Sequence, residues 1–483
     1  MSDIGAEKKR LVINTGLVAI GNMGAKVIAF LLLPLYTSLL TTEEYGDYDY
    51  IITIITFLSP IITMCLHEAM FRYLIDAKTD DGKKKVLSFS LVVILLSCLL
   101  SLAIIYIVSL FIDLKYTILL LTNIVASILY SFFTSALRGL GKVREYALFS
   151  SIKNISQVAL NVVAILLLKW GVTGLLLSAI AAELLGAAAC IIGGRLWRYI
   201  SFRSVRFGEA KAMMKYAIPL IPNSISASII NLADRVMITN MIGSDANGIY
   251  AIAYKFPNVF ETVYHYFYTA WCESSARLLN GEGDEVAPVY NQLKKTINNF
   301  LFGTMLIAIA GMAILFRIFV KGDYTAGFSC VPILMFSIYF YCLGSYYTGI
   351  FTAFKKTNII LISTLTAAIV NVVLNAIFLT KWGIIWAATT TLISTALMCL
   401  IRFVAVQKYA KIHLDWKFWL TALPVTAVVL FLYDYHSWAK IAIGLSIAAV
   451  YAVAINFSLI KGICRGIRKK KAQGKQEKHN EEV

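Results

Sequence analysis

NVVAILLLKWGVTG (161–174) and NVVLNAIFLTKWGIIW (371–386) carry the same landmarks in the same order: Asn-Val-Val, an apolar stretch, then Lys-Trp-Gly. The triplets Lys169-Trp170-Gly171 and Lys381-Trp382-Gly383 lie 212 residues apart. A second pair precedes them. Tyr45-Gly46-Asp47-Tyr48 and Asn247-Gly248-Ile249-Tyr250 share Gly-x-Tyr at an offset of 202 residues. Tryptophan and lysine favour the membrane–water boundary and recur there by chance. Two motifs in matching order nevertheless read as a duplication. In each half Gly-x-Tyr falls in the turn joining the first two apolar runs, and Lys-Trp-Gly joins the last two.

The composition supports a bilayer setting for those runs. Of 483 residues, 59% are hydrophobic and only 15% charged, with a mean hydropathy of +0.75. A soluble chain carries about 25% charged residues. The apolar residues recur as blocks of about 20, split by short charged turns, as membrane-crossing helices require. The chain therefore reads as an all-α polytopic membrane protein. The basic start EKKR leads into a long apolar run without a small-residue cleavage site, so that run reads as a retained helix. The 8 cysteines form no CxxC pair and fall mostly in apolar runs, as small core residues do.

Fourteen spans fit the blocks, near 11–40, 48–73, 86–111, 116–137, 147–168, 172–193, 211–241, 247–275, 293–316, 328–354, 358–379, 383–406, 416–433 and 439–460. With a cytoplasmic N-terminus, the inner segments hold 34 Lys and Arg and the outer turns only six. Such a bias sets orientation and places both termini inside. The net charge of +17 is thus a topology signal and an attraction to anionic inner-leaflet lipid, not a nucleic-acid surface. The duplication divides the chain into a six-helix lobe at 1–200, a second at 201–410, a terminal helix pair at 411–460 and a basic cytoplasmic tail at 461–483. Six is even, so the lobes face the same way and should be related by a pseudo-twofold along the membrane normal, an arrangement of transporters.

Across the whole chain the sequence resembles the Wzx-type polysaccharide flippases of the multidrug/oligosaccharidyl-lipid/polysaccharide exporter superfamily. The resemblance is carried by LLLPLYTSLLTTEEYGDYDYI (31–51), EAMFRYL (68–74), YAIPLIPNSISASIINLADRVMI (216–238), GIYAIAYKF (248–256) and the Lys-Trp-Gly turns. It implies a fold like that of multidrug and toxic-compound extrusion (MATE) carriers. It also implies a substrate, an oligosaccharide on a polyprenyl diphosphate such as undecaprenyl diphosphate, turned from the inner to the outer leaflet for O-antigen- or capsule-type surface polysaccharide. The implied setting is the bacterial cytoplasmic membrane, beside the polysaccharide assembly machinery.

Flipping such a lipid needs intramembrane cations for the diphosphate and aromatic or amide groups for sugar. Four Lys and Arg lie outside the inner and outer segments: Lys26, Lys153, Arg235 and Lys255. Lys153 lies within two turns of the inner interface and can snorkel there. Arg235 is about 12 Å before Gly243 and Lys255 about 10 Å after Gly248, so the two share a depth on adjoining helices. With Lys26 they would form a basic cleft; the other reading is that each pairs with a carboxylate among Asp234, Glu183, Glu68 and Glu261. Tyr254 and Tyr347 are candidate sugar platforms, or packing residues. Glu261 and His265, at i and i+4, form either a proton-coupling pair or a satisfied polar contact. Pro34, Pro219 and Pro222 open the first helix of each half, as gating bends or static kinks.

There is no GxxxxGK[ST] motif and HEAM lacks the second histidine of HExxH, so the chain carries neither an ATP engine nor a zinc-protease motif. No cofactor is expected beyond a coupling proton or sodium ion. The runner-up function is a cation-coupled multidrug exporter on the same fold, for which three deep basic residues are a poor match. A membrane-embedded glycosyltransferase needs large outer loops, and the longest outer turn here is 317–327.

Overall fold

The computed structural model describes residues 30–111, 115–201, 210–218, 220–280 and 286–462. Their regular structure is helical throughout. In chain order the α-helices are α1 (Leu33–Leu39), α2 (Thr42–Ile62), α3 (Leu66–Asp76), α4 (Asp80–Ser109), α5 (Thr117–Gly139), α6 (Val143–Val162), α7 (Gly171–Gly193) and α8 (Ala210–Ala217). There follow α9 (Leu220–Met241), α10 (Ser244–Asn280), α11 (Val286–Ala310), α12 (Met312–Phe319), α13 (Val331–Ala353), α14 (Thr357–Val406, two helical stretches broken by the non-helical backbone of Gly383), α15 (Trp416–Phe431) and α16 (Trp438–Ile455).

Two compact units emerge. The first is the chain through Ala251 with Gly322–Tyr324 and Asn375–Gly383. A break lies near its first described residues: Leu32 is a turn residue, and Pro34 stands in the first turn of α1. Proline lacks the N–H that would reach Phe30 and clashes with that carbonyl, so the helix interrupts there. A capping box starts α2. The Thr41 hydroxyl accepts from the Glu44 N–H at 3.2 Å, and the Glu44 carboxylate accepts from the Thr41 N–H at 2.9 Å. Helix α2 contains Pro60 and ends in left-handed Met64 and Cys65, so the single span expected at 48–73 is instead α2 and α3 bent by 52°. Small residues let α5, α6 and α7 approach closely. Gly186 of α7 faces Tyr130 and the Lys153 stem, and Gly193 faces the Phe149 ring.

The second unit is Ile252–Lys321, Thr325–Leu374 and the chain from Ile384. Its centre is aromatic: Trp271 stacks on Tyr346 at 4.7 Å and 9°, and its indole N–H donates to the Tyr346 carbonyl at 2.9 Å. Helices α11 and α16 cross where Gly303 meets Ala452 and the Asn299 and Asn456 amides donate across to main-chain carbonyls. A break at Gly311 bends α11 from α12 by 56°. Arg317 lies over the Trp438 ring at 4.0 Å and donates to the carbonyls of Tyr435 and His436, tying α12 to the turn between α15 and α16.

Among the described residues seven helices are long and apolar enough to cross a bilayer, or nine if each bent pair is one crossing. Fourteen is therefore the sequence's expectation rather than an observed count. Leu99, Leu100 and Phe111 in the first unit and Leu420, Phe431 and Val450 in the second are exposed. A soluble surface rarely groups such side chains, whereas lipid requires them. The chain is a multi-pass membrane protein.

Candidate functional site

The repeated Gly-x-Tyr motifs are helical, not turns: Gly46 sits in α2 and Gly248 in α10. The two helices cross there within the first unit. A Cβ on Gly46 would fall on the Ser244 carbonyl oxygen, and one on Gly248 would fall on that of Thr42. The small-x-x-x-small pairs Thr42/Gly46 and Ser244/Gly248 thus pack reciprocally, as a twofold contact between repeats does. Polar side chains close the crossing. Thr42 Oγ1 donates to Asp245 Oδ1 at 2.7 Å, the Ser244 hydroxyl to Asp47, and Asn247 Nδ2 to the Gly46 carbonyl at 2.8 Å. Lys115 bridges Glu43 at 2.9 Å and Asp47 at 3.2 Å. Its hydrogen bonds to Glu43 and then Asp47 push the ammonium pKa up.

Deeper along α9 lies the buried charge. Asp234 is 0% exposed and Arg235 6%. Arg235 Nε donates to Asp49 Oδ2 at 3.1 Å, and its guanidinium stands 5.4 Å from the centre of the Tyr250 ring. Tyr250 Oη donates to Asp234 Oδ2 at 3.0 Å, and Asn375 Nδ2 to Asp234 Oδ1 at 2.9 Å. Adjacent helical residues point apart. These hydrogen bonds go to different groups, Asp234 accepting from a tyrosine and an amide and Arg235 donating to a carboxylate of α2. Tyr250 touches both, its hydroxyl on Asp234 and its ring by Arg235.

The remaining sequence candidates are dispersed. Lys26 and Pro219 lie outside the described residues, as does the side chain of Pro222, whose backbone is in the first turn of α9. Glu183, on α7, stands near Ser127 and Lys153, and one buried oxygen of its carboxylate accepts no hydrogen bond among the described residues. In the second unit Tyr254 is buried, Lys255 and Glu261 are half-buried, and His265 is exposed with its ring 6.2 Å from that of Tyr268. Tyr347 is 1% exposed, and its ring meets Tyr346 and Phe403.

Several polar residues differ from the expectation or lay outside it. Lys153 does not reach for the interface; its Nζ donates one turn onward to Gln157 Oε1 at 2.8 Å and lies 5.6 Å from the centre of the Tyr130 ring. Arg72 pairs with Asp76 at 3.4 Å, and Glu68 meets His67 at 3.6 Å. Asp49 and Asn375 were legible only as polar residues inside apolar runs. Arg402, counted with an inner loop, is 4% exposed and donates to Ser363 Oγ at 2.9 Å and Thr364 Oγ1 at 2.8 Å.

A family model described as polysaccharide biosynthesis protein matches residues 11–272. No curated protein matches the chain. Among solved structures, the lipid II flippase MurJ in an inward closed conformation aligns with a TM-score of 0.74 at 17% identity, over 92% of this chain and 99% of that one. An inward-facing MATE-family multidrug resistance transporter of the MOP superfamily aligns at 0.67 and 14% identity, over 81% and 97%. An outward-facing conformation of such a transporter gives 0.56 and 14%, over 83% and 97%. At these identities the likeness is one of fold: the helices are arranged as in MurJ and the MATE carriers.

Proposed function

This chain belongs to the polysaccharide biosynthesis protein family, and from that premise we propose that it is a flippase for polyprenyl-diphosphate-linked oligosaccharide. It turns the lipid from the inner to the outer leaflet of the bacterial cytoplasmic membrane by alternating access, for surface polysaccharide of the O-antigen or capsule type. The observation that carries the reading is the family match joined to the fold of a protein whose own cargo is lipid II. It is a transporter and not an enzyme.

Within that reading Lys26, Lys255 and Arg235 are the cations that receive the diphosphate, and Tyr254 and Tyr347 the aromatic groups for sugar. Arg235 is held by Asp49, so it would serve by exchanging one oxyanion for another; a guanidinium binds phosphate and carboxylate with the same fork. Asp234 is the coupling carboxylate for a proton or sodium ion. Tyr250 and Asn375 are neutral donors that hold it in place whichever ion it takes. Glu261, His265 and Glu183 are secondary coupling candidates, and Pro34, Pro219 and Pro222 the gating positions.

Deleting the gene should leave lipid-linked glycan in the inner leaflet, measured by accessibility to a membrane-impermeant glycosidase. Normal surface glycan together with lost drug resistance would sink the proposal in favour of a cation-coupled multidrug exporter. One observation favours that second reading: Asp49 and Asp234 bring two carboxylates into the region of Arg235, and acidic pockets suit cationic drugs.

A further inference from the structure

At one end of the second unit, where α11, the 411–415 segment and α15 meet, lies a cavity of about 290 Å³. Its wall includes Asn291, Lys294, Lys295, Asn298, His413 and Asp415. A smaller one of about 230 Å³ adjoins it, sharing Lys295 and Asn299 and reaching the end of α16. The segments that frame it, 276–295 and 402–417, hold three and four of the 34 Lys and Arg assigned to the inner segments, the bias that marks a cytoplasmic face.

Lys294 is the unusual member. It is 7% exposed, yet among the described residues its Nζ reaches only the His413 carbonyl, at 2.7 Å, and the Phe403 ring, 5.7 Å to the centre. No carboxylate among the described residues comes within ion-pair distance of it. Asp415 pairs instead with Lys295, at 3.6 Å. An ammonium has three donors, and a buried one is costly unless an anion and further acceptors complete it. Arg402, also buried in this unit, has two hydroxyls and opens on neither cavity. Asn291 has both ends of its amide engaged, by the Lys411 carbonyl and the His413 N–H. Asn298 accepts from Tyr339 Oη at 2.6 Å, which leaves its NH2 as a donor. The cavity is thus built rigidly and rich in donors.

Its setting says what kind of anion reaches it. Leu414 lines the same cavity, and Trp416, Leu420 and Leu423 run exposed along the first turns of α15. A polar hole at the foot of an apolar helix, beside an interfacial tryptophan, lies at headgroup level. We propose that this cavity binds the phosphate of an anionic membrane phospholipid, through Lys294 with Lys295 and Asn298, while the acyl chains lie on α15. The inference does not rest on what the protein carries: a chain that moved no glycan would still bind lipid here, and the test needs no transport.

The test uses the full chain in nanodiscs of phosphatidylcholine with and without phosphatidylglycerol, read by retained lipid in native mass spectrometry and by melting temperature. Wild type should retain phosphatidylglycerol preferentially and melt higher with it. Lys294→Met should weaken that preference about tenfold or more, the scale of one lost charge-assisted contact, while Lys294→Arg keeps most of it. Should Lys294→Met fail to fold, Lys295→Met and Asn298→Leu supply the same comparison with smaller losses. Equal retention of both lipids, or an undiminished preference in these variants, would overturn the proposal. Inorganic phosphate alone raising the melting temperature as much as the lipid does would also overturn it, by assigning the cavity to a soluble anion.

Discussion

Gly46 and Gly248, 202 residues apart, each lie against the backbone of the other's helix, with no room on either side for a Cβ. The contact is reciprocal, joining the glycines of the two Gly-x-Tyr motifs. Its neighbours on each side are backbone atoms, which cannot swing away as a flexible side chain would. Gly46→Ala and Gly248→Ala should each destabilise the protein by about 1–3 kcal/mol through overpacking. Thermal unfolding in detergent checks this, and in surface-glycan complementation the loss of function should exceed the loss of protein. Wild-type melting in either variant would show that the crossing is looser than described.

The Asp49–Arg235 pair separates structure from transport. Asp49→Asn removes the carboxylate facing a buried guanidinium and should cost about 3–5 kcal/mol. The double variant Asp49→Asn/Arg235→Gln should recover most of that stability. If Arg235 receives phosphate, the double variant stays inactive although stable. Recovery of both stability and transport would assign Arg235 a structural role alone.

Asp234→Asn keeps the side-chain volume and can retain one of the hydrogen bonds to Tyr250 and Asn375, so its stability cost should be no more than about 1–3 kcal/mol. Its effect on coupling should be larger. Transport in vesicles should lose its response to an imposed proton or sodium gradient. Retention of that response would remove Asp234 from the coupling role.

Gly171 and Gly383 close the two Lys-Trp-Gly turns, and both have positive φ, +53° and +64°. Gly383, with ψ −153°, occupies a region open to glycine and little else. Gly383→Ala meets no neighbouring atom and should cost about 1–3 kcal/mol in backbone strain alone. Gly171→Ala should cost more, since its Cβ also meets the Glu44 carboxylate that caps α2. The order of the two melting temperatures checks the comparison.

Asp434 lies in the turn between α15 and α16, where the Lys440 ammonium and then the His436 and Ser437 N–H groups lower its pKa to about 2. A depressed carboxylate adds stability that is fully present above its ordinary value near 3.8 and lost as pH falls through about 2. Amide exchange at His436 and Ser437 should therefore quicken, beyond the intrinsic rate, as pH drops from 4 to 2. In Asp434→Asn that extra pH dependence should vanish.

Periodicity and punctuation in the chain made most helices legible. The Lys-Trp-Gly turns are breaks in the structure, and the runs 86–111, 116–137 and 172–193 are α4, α5 and α7. The reading of Gly-x-Tyr as a turn failed because small residues mark both turns and close helix crossings, and only the partner helix tells them apart. The capping signature Thr41-x-x-Glu44 marks the earlier start of α2. The break at Met64 and Cys65 had Pro60 as its sole nearby signal. Of the candidate site, Asp234 and Arg235 stood out because a charge in an apolar run is conspicuous. Their partners did not: Asp49 is 186 residues from Arg235 and Asn375 is 141 from Asp234, separations over which local sequence carries no information. Arg402 was hidden differently, by lying at the end of a helix where loop counting takes every cation as interfacial.

The first unit takes its last piece from Asn375–Gly383, which bears on how the protein is made. At the usual pace of ~5–20 residues per second, roughly 7–26 s separate synthesis of Ala251 from that of Gly383. Through most of that interval Asp234 is already in the chain and its Asn375 donor has yet to be added. An arrested nascent chain ending before Asn375 should therefore engage membrane chaperones longer than one ending after Gly383. A unit whose pieces are so far apart in the chain must still be assembled as a single body.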